Sequence, residues 1–327
     1  MGYKSIDGLM RHLRNNGISI SGGKQKRQLM NIGYFHGYKG YRFFKTSSNK
    51  LPLTSYEEVY ATVQYDTKLK SLFYSKIMFI ETAVKNYALE CILSIDKSES
   101  IQAMYDKSVC GYHNSSPGLP VEAKKKQQTC KLRLQAMIQQ YLSSAYDKNN
   151  PKITHFYNNM SYSGVPVWAL FEIMTMGDFG FLLSCLTFTA RDSISKKLGL
   201  SDISVDTNRE LVYKYIYTLK DLRNAIAHNS VVFDTRFRKM DPTPAMKKCL
   251  TTEIGLPYIN FKTIGDYLIL VCYYLKILKV TKTEIKAFIR EFENITNEYR
   301  NSVNAQLAAQ VLHPDLTSRL AMLKNYI

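Results

Sequence analysis

Apolar residues recur at intervals of three and four along most of the chain, which is the spacing of one face of an α-helix. The longest such stretch is 53–93, where Ser55 is a candidate cap. We expect this helix to break near Asp66. Strand-like alternation is scarce, and a short hairpin within 229–260 is the only one that we expect. The pattern therefore predicts an all-α protein built as a helical bundle, with additional helices at both ends.

Interruptions divide the remaining helical pattern. Three closely spaced glycines make 31–45 turn-rich, and a polar stretch with glycine and proline makes 96–120 a loop with at most one short helix. We expect the apolar stretch 165–186 to break at Gly177. The other expected helices are 5–15, 23–32, 120–146, 207–229, 261–279, 281–312 and 316–325.

The helix expected over 207–229 has two chemically different faces. Its apolar stripe consists of Val212, Tyr215, Leu219, Leu222 and Ile226. The opposite face gathers Asp221, Asn224 and His228, and Arg223 lies at the border, about 140° around the helix from His228. A polar face of this composition is unusual for packing and suits a functional site.

These side chains have the chemistry that RNA cleavage requires. An imidazole can move protons near neutral pH, and a guanidinium matches the geometry of phosphate. His228 would be the acid–base group and Arg223 the group that stabilises the phosphate, while Asn224 and Asp221 would orient them. This chemistry needs no metal and no cofactor. An arginine and a histidine five residues apart also occur by chance, however, so a purely structural role stays open.

Charge adds a second indication. Lys and Arg number 44 against 27 Asp and Glu, which gives a net charge of +17 and favours a polyanionic partner. Nucleic acid is the leading interpretation of this charge. The alternatives are an anionic membrane as the partner, or a cationic surface that serves only solubility. The six cysteines form no CxxC pair, which disfavours zinc and fits a reducing cytoplasm. The N-terminus lacks a signal-peptide core, and the apolar stretch 267–280 is too short and too charged to span a bilayer.

Basic and aromatic residues alternate near the N-terminus, as RNA stacking and phosphate contact require. The alternative is that the rings pack against the long helix and the cations are solvated. A second basic cluster begins the helix 120–146. Glu172 could support the catalytic face from a neighbouring helix, whereas Trp168 is expected in the core. The residues predicted to contact RNA are Lys24, Lys26, Arg27, Tyr34, His36, Tyr38, Lys39, Tyr41, Arg42, Lys124, Lys125 and Lys126.

Four stretches together resemble a known protein family. "DLRNAIAHN" (221–229) resembles the R-x4-H motif of HEPN domains, helical modules many of which are metal-independent ribonucleases. The other three resemble bacterial abortive-infection proteins of the Abi-like group, the AbiD/AbiF type. These are "NIGYFHGYKGYRFF" (31–44), "KIMFIETAVKN" (76–86) and "VPVWALFEIMTMGDFG" (165–180).

The resemblance implies a HEPN-like core that forms a homodimer, in which two R-x4-H helices create one composite site. It implies a toxin-like endoribonuclease of anti-phage defence that leaves a 2′,3′-cyclic phosphate and a 5′-hydroxyl. A structured non-coding RNA that binds and restrains such a protein is a further implied partner, and neither DNA nor a membrane is expected. This chain departs from relatives that carry a second histidine after the motif, because Asn229 and Ser230 follow here.

We divide the chain into three segments. A basic, aromatic-rich module covers 1–50, a HEPN-like core with an insert near 96–150 covers 51–240, and a helical region that packs on the core covers 241–327. The alternative function is a non-catalytic, dimeric RNA-binding protein that uses the same fold as a platform. A protein–protein scaffold with an incidental charge is the third hypothesis.

Overall fold

The computed structural model describes residues 4–116, 118–200 and 204–327. Regular structure in these residues is helical, and they contain isolated β-bridges but no sheet, which confirms the predicted all-α fold. Two short π-helical turns cover Phe35–Lys39 and Met104–Ser108. The α-helices are α1 (Ile6–Asn15), α2 (Gly22–Ile32), α3 (Tyr56–Asp96), α4 (Ile101–Ala103), α5 (Val121–Asp147), α6 (Pro151–Asn158), α7 (Val167–Ile173), α8 (Met176–Cys185), α9 (Phe188–Leu198), α10 (Leu211–Ala227), α11 (Pro244–Ile254), α12 (Ile264–Ile277), α13 (Lys282–Ser302), α14 (Ala305–Val311) and α15 (Leu316–Tyr326).

The chain forms two compact units. The first combines the stretch up to Ile77 with Asp221–Ile327, and the second is Met78–Lys220. The boundaries between these stretches fall inside α3 and α10, so the first unit consists of two separate stretches of the chain and the second of one continuous stretch. The three segments expected from the sequence stay a prediction.

The first unit has a core of aromatic and aliphatic side chains around α12 and α13. Helix α12 is buried from Ile264 to Leu275, which confirms a buried helix where the sequence is most apolar. Helix α13 is amphipathic, and its apolar face packs on α3. The ring of Phe73 meets Phe288 edge-on at 5.8 Å, and Tyr65 stacks on Tyr299 at 4.5 Å. The first half of α3 is thereby fixed in the unit that also holds the end of α10.

Three helix boundaries differ from those expected. Helix α3 runs unbroken through Asp66, so the predicted break is wrong: the carboxylate bonds to another part of the chain instead of capping a new helix. The apolar stretch breaks before Thr175, whose side chain caps α8, rather than at Gly177. The helix expected over 281–312 is divided because the side chain of Asn304 caps α14.

The hairpin expected within 229–260 is also wrong, since α11 occupies much of this stretch. Thr243 caps the helix, Pro244 opens it, and Gly255 ends it with φ +77°. These are strong start and stop signals in a short segment. Helices α6 and α9, which were not expected, begin with similar caps from Asn150 and Thr187.

The second unit packs α5 against α7 and α8. Leu134 and Ile138 on α5 are fully buried, and Phe171 meets Phe179 at 5.5 Å. Trp168 is 41% exposed, so its predicted place in the core is wrong. Its ring rests edge-on against Phe156, and its indole N–H donates to Glu99 at 3.1 Å. The Trp168 ring therefore lies at the surface, and Glu99 provides the hydrogen-bond acceptor for its indole N–H.

Candidate active site at the end of helix α10

A tight backbone turn ends α10 and fixes the position of His228. The Asn229 N–H donates to the Ile226 carbonyl at 3.0 Å, and the Ser230 N–H donates to the Ala225 carbonyl at 2.8 Å. Together with φ +51° at Asn229, these bonds form a Schellman motif. His228 is the last residue before the left-handed position, so its backbone is held by the turn.

The side chains of the motif are arranged for contact with an external ligand. Leu222 is fully buried, whereas Arg223 and Asn224 are half-buried and His228 is exposed. An Arg223 Nη1 hydrogen bond reaches Asn224 Oδ1 at 3.3 Å. Within the described ranges, Arg223 forms no ion pair, its buried Nε has no partner, and the His228 ring accepts or donates no hydrogen bond. The His228 ring is therefore accessible to a ligand, and the half-buried Arg223 guanidinium is not engaged by a carboxylate in the described residues.

Asp221 departs from the face expected for it. It is 8% exposed, and its carboxylate accepts the Lys239 N–H at 3.3 Å. The chain that leaves α10 returns along the helix and covers this position, which the helical periodicity of α10 alone does not reveal. The nearby carboxylate also adds to the effect of burial in raising the pKa of Tyr267. An orienting role of Asp221 toward Arg223 or His228 stays a prediction.

A buried carboxylate on α3 anchors the segment that follows the motif. Asp66 is fully buried, and its Oδ1 accepts the N–H groups of Val232 at 2.7 Å and Phe233 at 2.8 Å. Its Oδ2 accepts the Tyr41 hydroxyl at 2.7 Å and lies 2.8 Å from Lys70 Nζ. One carboxylate thus joins three separate parts of the first unit.

Lys70 extends this network to the residue beside His228. Its ammonium donates to Asn229 Oδ1 at 2.9 Å, and its side chain is only 9% exposed. The rings of Tyr41 and Phe233, two residues that bond to Asp66, stack at 6.1 Å. Sequence reasoning missed Asp66 and Lys70, although an acidic and a basic residue four positions apart on one helix were a usable signal.

Some of the aromatic residues predicted to contact RNA are covered by protein. Tyr38 is 6% exposed and Tyr41 is 4% exposed, so the structure does not offer these two rings for stacking on bases. Burial also raises the pKa of Tyr38. Tyr34 is half-buried, and its hydroxyl lies 3.0 Å from a ring nitrogen of His12. The glycine-rich segment closes into a π-helical turn, in which the Tyr38 ring is buried and the Phe35 ring is exposed.

The same turn presents an exposed aromatic and cationic cluster. Phe35 is 61% exposed, and His36 and Lys39 are exposed beside it. Lys39 Nζ lies 5.5 Å from the centre of the Phe35 ring, and the His36 ring meets it edge-on at 5.5 Å. We call Phe35, His36 and Lys39 the aromatic–basic cluster. An exposed ring with a lysine close to it can stack on a base while the ammonium contacts phosphate.

Direct bonds hold the segment after this cluster against the segment after the motif. Arg236 donates to the carbonyls of Gly40 at 2.8 Å and Phe43 at 2.6 Å, and it pairs with Asp234. Asp234 also accepts the Lys45 N–H at 2.6 Å. A Cβ at Gly40 would lie 3.3 Å from the Phe35 carbonyl oxygen, so the backbone is closely packed where the chain leaves the π-helical turn. The aromatic–basic cluster and the end of α10 are thus built into one scaffold.

The other predicted cations differ in their surroundings. Lys24 and Arg27 are exposed on α2, whereas Lys26 pairs with Asp7 at 2.7 Å. Arg42 packs over the Phe43 ring at 4.5 Å, and its Nε is buried without a partner. The exposed cations are the ones that remain available to an anion without breaking an ion pair.

The remaining predicted residues lie in the second unit. Lys125 and Lys126 are exposed on α5 and Lys124 is half-buried, and Lys125 pairs with Glu122 at 3.1 Å. Glu172 is exposed on α7 and pairs with Lys152 at 2.9 Å. The supporting role expected for Glu172 stays a prediction.

Membrane-spanning helices and metal-binding groups are both absent from the residues that the structure describes. No helix combines the length and apolar character needed to cross a bilayer within the described ranges. In the same residues, no group of three or more His, Cys, Asp or Glu side chains is suited to bind a metal ion.

Comparison with known proteins identifies the family. The sequence model of the Abi-like protein family matches residues 27–234, which is more than half of the 327 residues. The match contains both the aromatic–basic cluster and the Arg223–His228 motif. No curated protein and no solved structure matches the chain. The extent of the family match shows that the chain belongs to the Abi-like protein family.

Proposed function

We propose that this Abi-like protein is a metal-independent endoribonuclease of the HEPN type that acts in bacterial abortive infection. The observation that carries the proposal is the end of α10. There a guanidinium without an ion pair and an exposed imidazole are held on a fixed turn, within the described part of the chain. Family membership is consistent with a role in abortive infection.

The reaction follows from the chemistry of these groups. A base removes the proton of a ribose 2′-hydroxyl, the 2′-oxygen attacks the adjacent phosphorus, and the bond from phosphorus to the 5′-oxygen breaks. An acid gives a proton to the departing 5′-oxygen. His228 performs the proton transfers, and Arg223 stabilises the extra negative charge on the crowded phosphate. The products are a 2′,3′-cyclic phosphate and a 5′-hydroxyl.

A homodimer supplies what one α10 helix lacks. Arg223 and His228 lie about 140° apart around the helix and about 7.5 Å apart along it, so they point to different places. The reaction also needs one base and one acid. Two α10 helices related by a two-fold axis would bring two imidazoles and two guanidinium groups to one phosphate.

The aromatic–basic cluster supports RNA as the substrate. Phe35 offers an exposed face for a base, and Lys39 offers a charge for the backbone. The net charge of +17 favours association with any polyanion. We expect a cellular RNA, including a structured non-coding RNA that restrains the enzyme, to co-purify with the protein.

The test is cleavage of end-labelled RNA in buffer with EDTA. We expect wild-type protein to generate fragments with cyclic phosphate ends, and His228→Ala and Arg223→Ala to generate none while they still bind RNA. The matched controls are His113→Ala and Arg290→Ala, which alter exposed residues outside the motif and should cleave normally. Cleavage at the wild-type rate by His228→Ala would refute the proposal.

A non-catalytic RNA-binding platform is the second candidate, because the aromatic–basic cluster suits binding whether or not a reaction follows. The same assay separates the two functions. RNA retention with no fragments from wild-type protein, in EDTA or with added divalent cations, would favour the platform. Protein that purifies without RNA and binds none would favour a protein–protein scaffold.

A further inference from the structure

We infer that Asp66, Lys70 and Asn229 form a positioning device for the His228 imidazole. The inference rests on the proposed nuclease function, since it assigns the three residues a role in that reaction. None of them needs to contact RNA. They act by fixing the backbone on the far side of His228.

The first step of the argument is the conformation of Asn229. Its φ of +51° lies in the left-handed region, where glycine fits most easily. Asparagine tolerates this conformation better than most residues, but the turn alone does not require its side chain. Here the side chain accepts a hydrogen bond from Lys70 at 2.9 Å. The amide therefore ties the turn to α3.

The second step is the cost of the charges involved. Asp66 is 0% exposed and Lys70 is 9% exposed at the side chain. Apolar side chains of similar volume often give equal or greater stability than a buried ion pair. A pair that is kept in the interior is better explained by a geometry that it imposes. The Lys70 ammonium donates to Asn229, and the Asp66 carboxylate accepts the N–H groups of Val232 and Phe233.

The third step concerns the imidazole itself. On one side of His228, the backbone is fixed by α10, where its own N–H donates to the Asn224 carbonyl at 3.0 Å. On the other side, the chain is fixed by Lys70 at Asn229 and by Asp66 three residues later. An exposed side chain without a hydrogen bond can be aimed only through its backbone. Because misplacement by about 1 Å can cost on the order of a hundredfold in rate, this restraint matters for catalysis.

The decisive variant is Asn229→Gly, because glycine keeps the left-handed turn and removes the acceptor for Lys70. We expect kcat for RNA cleavage to fall about tenfold or more with KM within about twofold, as lost orientation predicts. Lys70→Met should behave alike, and Lys70→Arg should recover part of the rate. The matched control is Lys68→Met, two residues away on α3, which should cleave normally. Broadening of the His228 ring signal by NMR would accompany the loss.

Three outcomes overturn the inference. The first is a wild-type kcat in Asn229→Gly. The second is a loss of rate in Asn229→Gly that is explained by a higher KM or by unfolding of that variant. A loss in Lys68→Met equal to that in Lys70→Met is the third. In each case His228→Ala shows whether the nuclease proposal itself stands: if it is inactive, only the positioning role fails, and if it is active, the proposed function fails. Should Lys70→Met not fold, Asn229→Gly decides alone.

Discussion

Removing the Asp66 carboxylate should destabilise the first unit strongly. In Asp66→Ala, the Lys70 ammonium stays buried without its ion pair, which costs about 3–5 kcal/mol in other proteins. The N–H groups of Val232 and Phe233 also lose their acceptor, at about 1–3 kcal/mol each if water does not replace it. These costs overlap, because the empty space can admit water. We therefore expect a loss of about 5 kcal/mol in the free energy of unfolding, compared with a typical total of about 5–15 kcal/mol.

An exposed pair on the same helix provides the matched control. Lys68 pairs with Glu298, and the two side chains are 42% and 61% exposed. Lys68→Ala should cost no more than about 1 kcal/mol, because water screens such a pair. The double variant Asp66→Ala with Lys70→Met should be more stable than Asp66→Ala alone, since no orphan charge remains buried.

Urea titration followed by far-UV circular dichroism measures these differences. Hydrogen exchange of the Val232 and Phe233 amides adds a local measurement, because both should exchange faster in Asp66→Ala. The reasoning fails if Asp66→Ala loses no more stability than Lys68→Ala. It also fails if the second substitution at Lys70 lowers stability further, because a stranded charge would then not be the main cause of the loss.

Two further expectations concern other parts of the chain. Phe35→Ala should weaken binding to single-stranded RNA by about 1–3 kcal/mol, measured by fluorescence anisotropy, because a stacking ring is lost; equal weakening in Phe188→Ala, an exposed ring in the second unit, would contradict a specific role. Burial raises the pKa of Asp96, so its contribution to stability is greatest at acidic pH and declines as the pH rises through the raised value. Asp96→Asn should therefore raise the melting temperature at about pH 8 more than at about pH 4, and an equal shift at both would refute this account.

Many helices were placed well from the sequence. Helices α5 and α15 begin and end within one residue of their expected bounds, and α10 and α12 within four. Helices α9 and α11 are short, and their caps were a stronger signal than their periodicity. The expected break at Asp66 was wrong because an aspartate can also serve as an internal anchor for a distant backbone.

In the candidate site too, features set by one helix were predictable from the sequence, and features set by contacts between distant residues were not. Helical periodicity was enough to predict that His228 is exposed and Leu222 is buried, because Leu222 lies on the apolar face of α10 and His228 on the opposite face. It could not show that the return segment covers Asp221, nor that Tyr38 and Tyr41 turn inward. These outcomes depend on contacts between residues far apart in sequence, as in the bond from Asp66 to Val232, 166 positions later.

The hydrogen bond from Lys70 gives a reason why asparagine follows His228 in this chain. Glycine would form the left-handed turn at lower steric cost, but it offers no acceptor to Lys70. The left-handed backbone of Asn229 costs conformational energy, and the burial of the Asp66–Lys70 pair costs desolvation energy. Both costs are explained if the turn must hold His228 in one orientation. The functional unit is then larger than the R-x4-H motif: it includes an aspartate and a lysine four residues apart on α3. A substitution at either should affect cleavage and stability together, whereas Asn229→Gly should separate the two, because it relaxes the turn without stranding a charge.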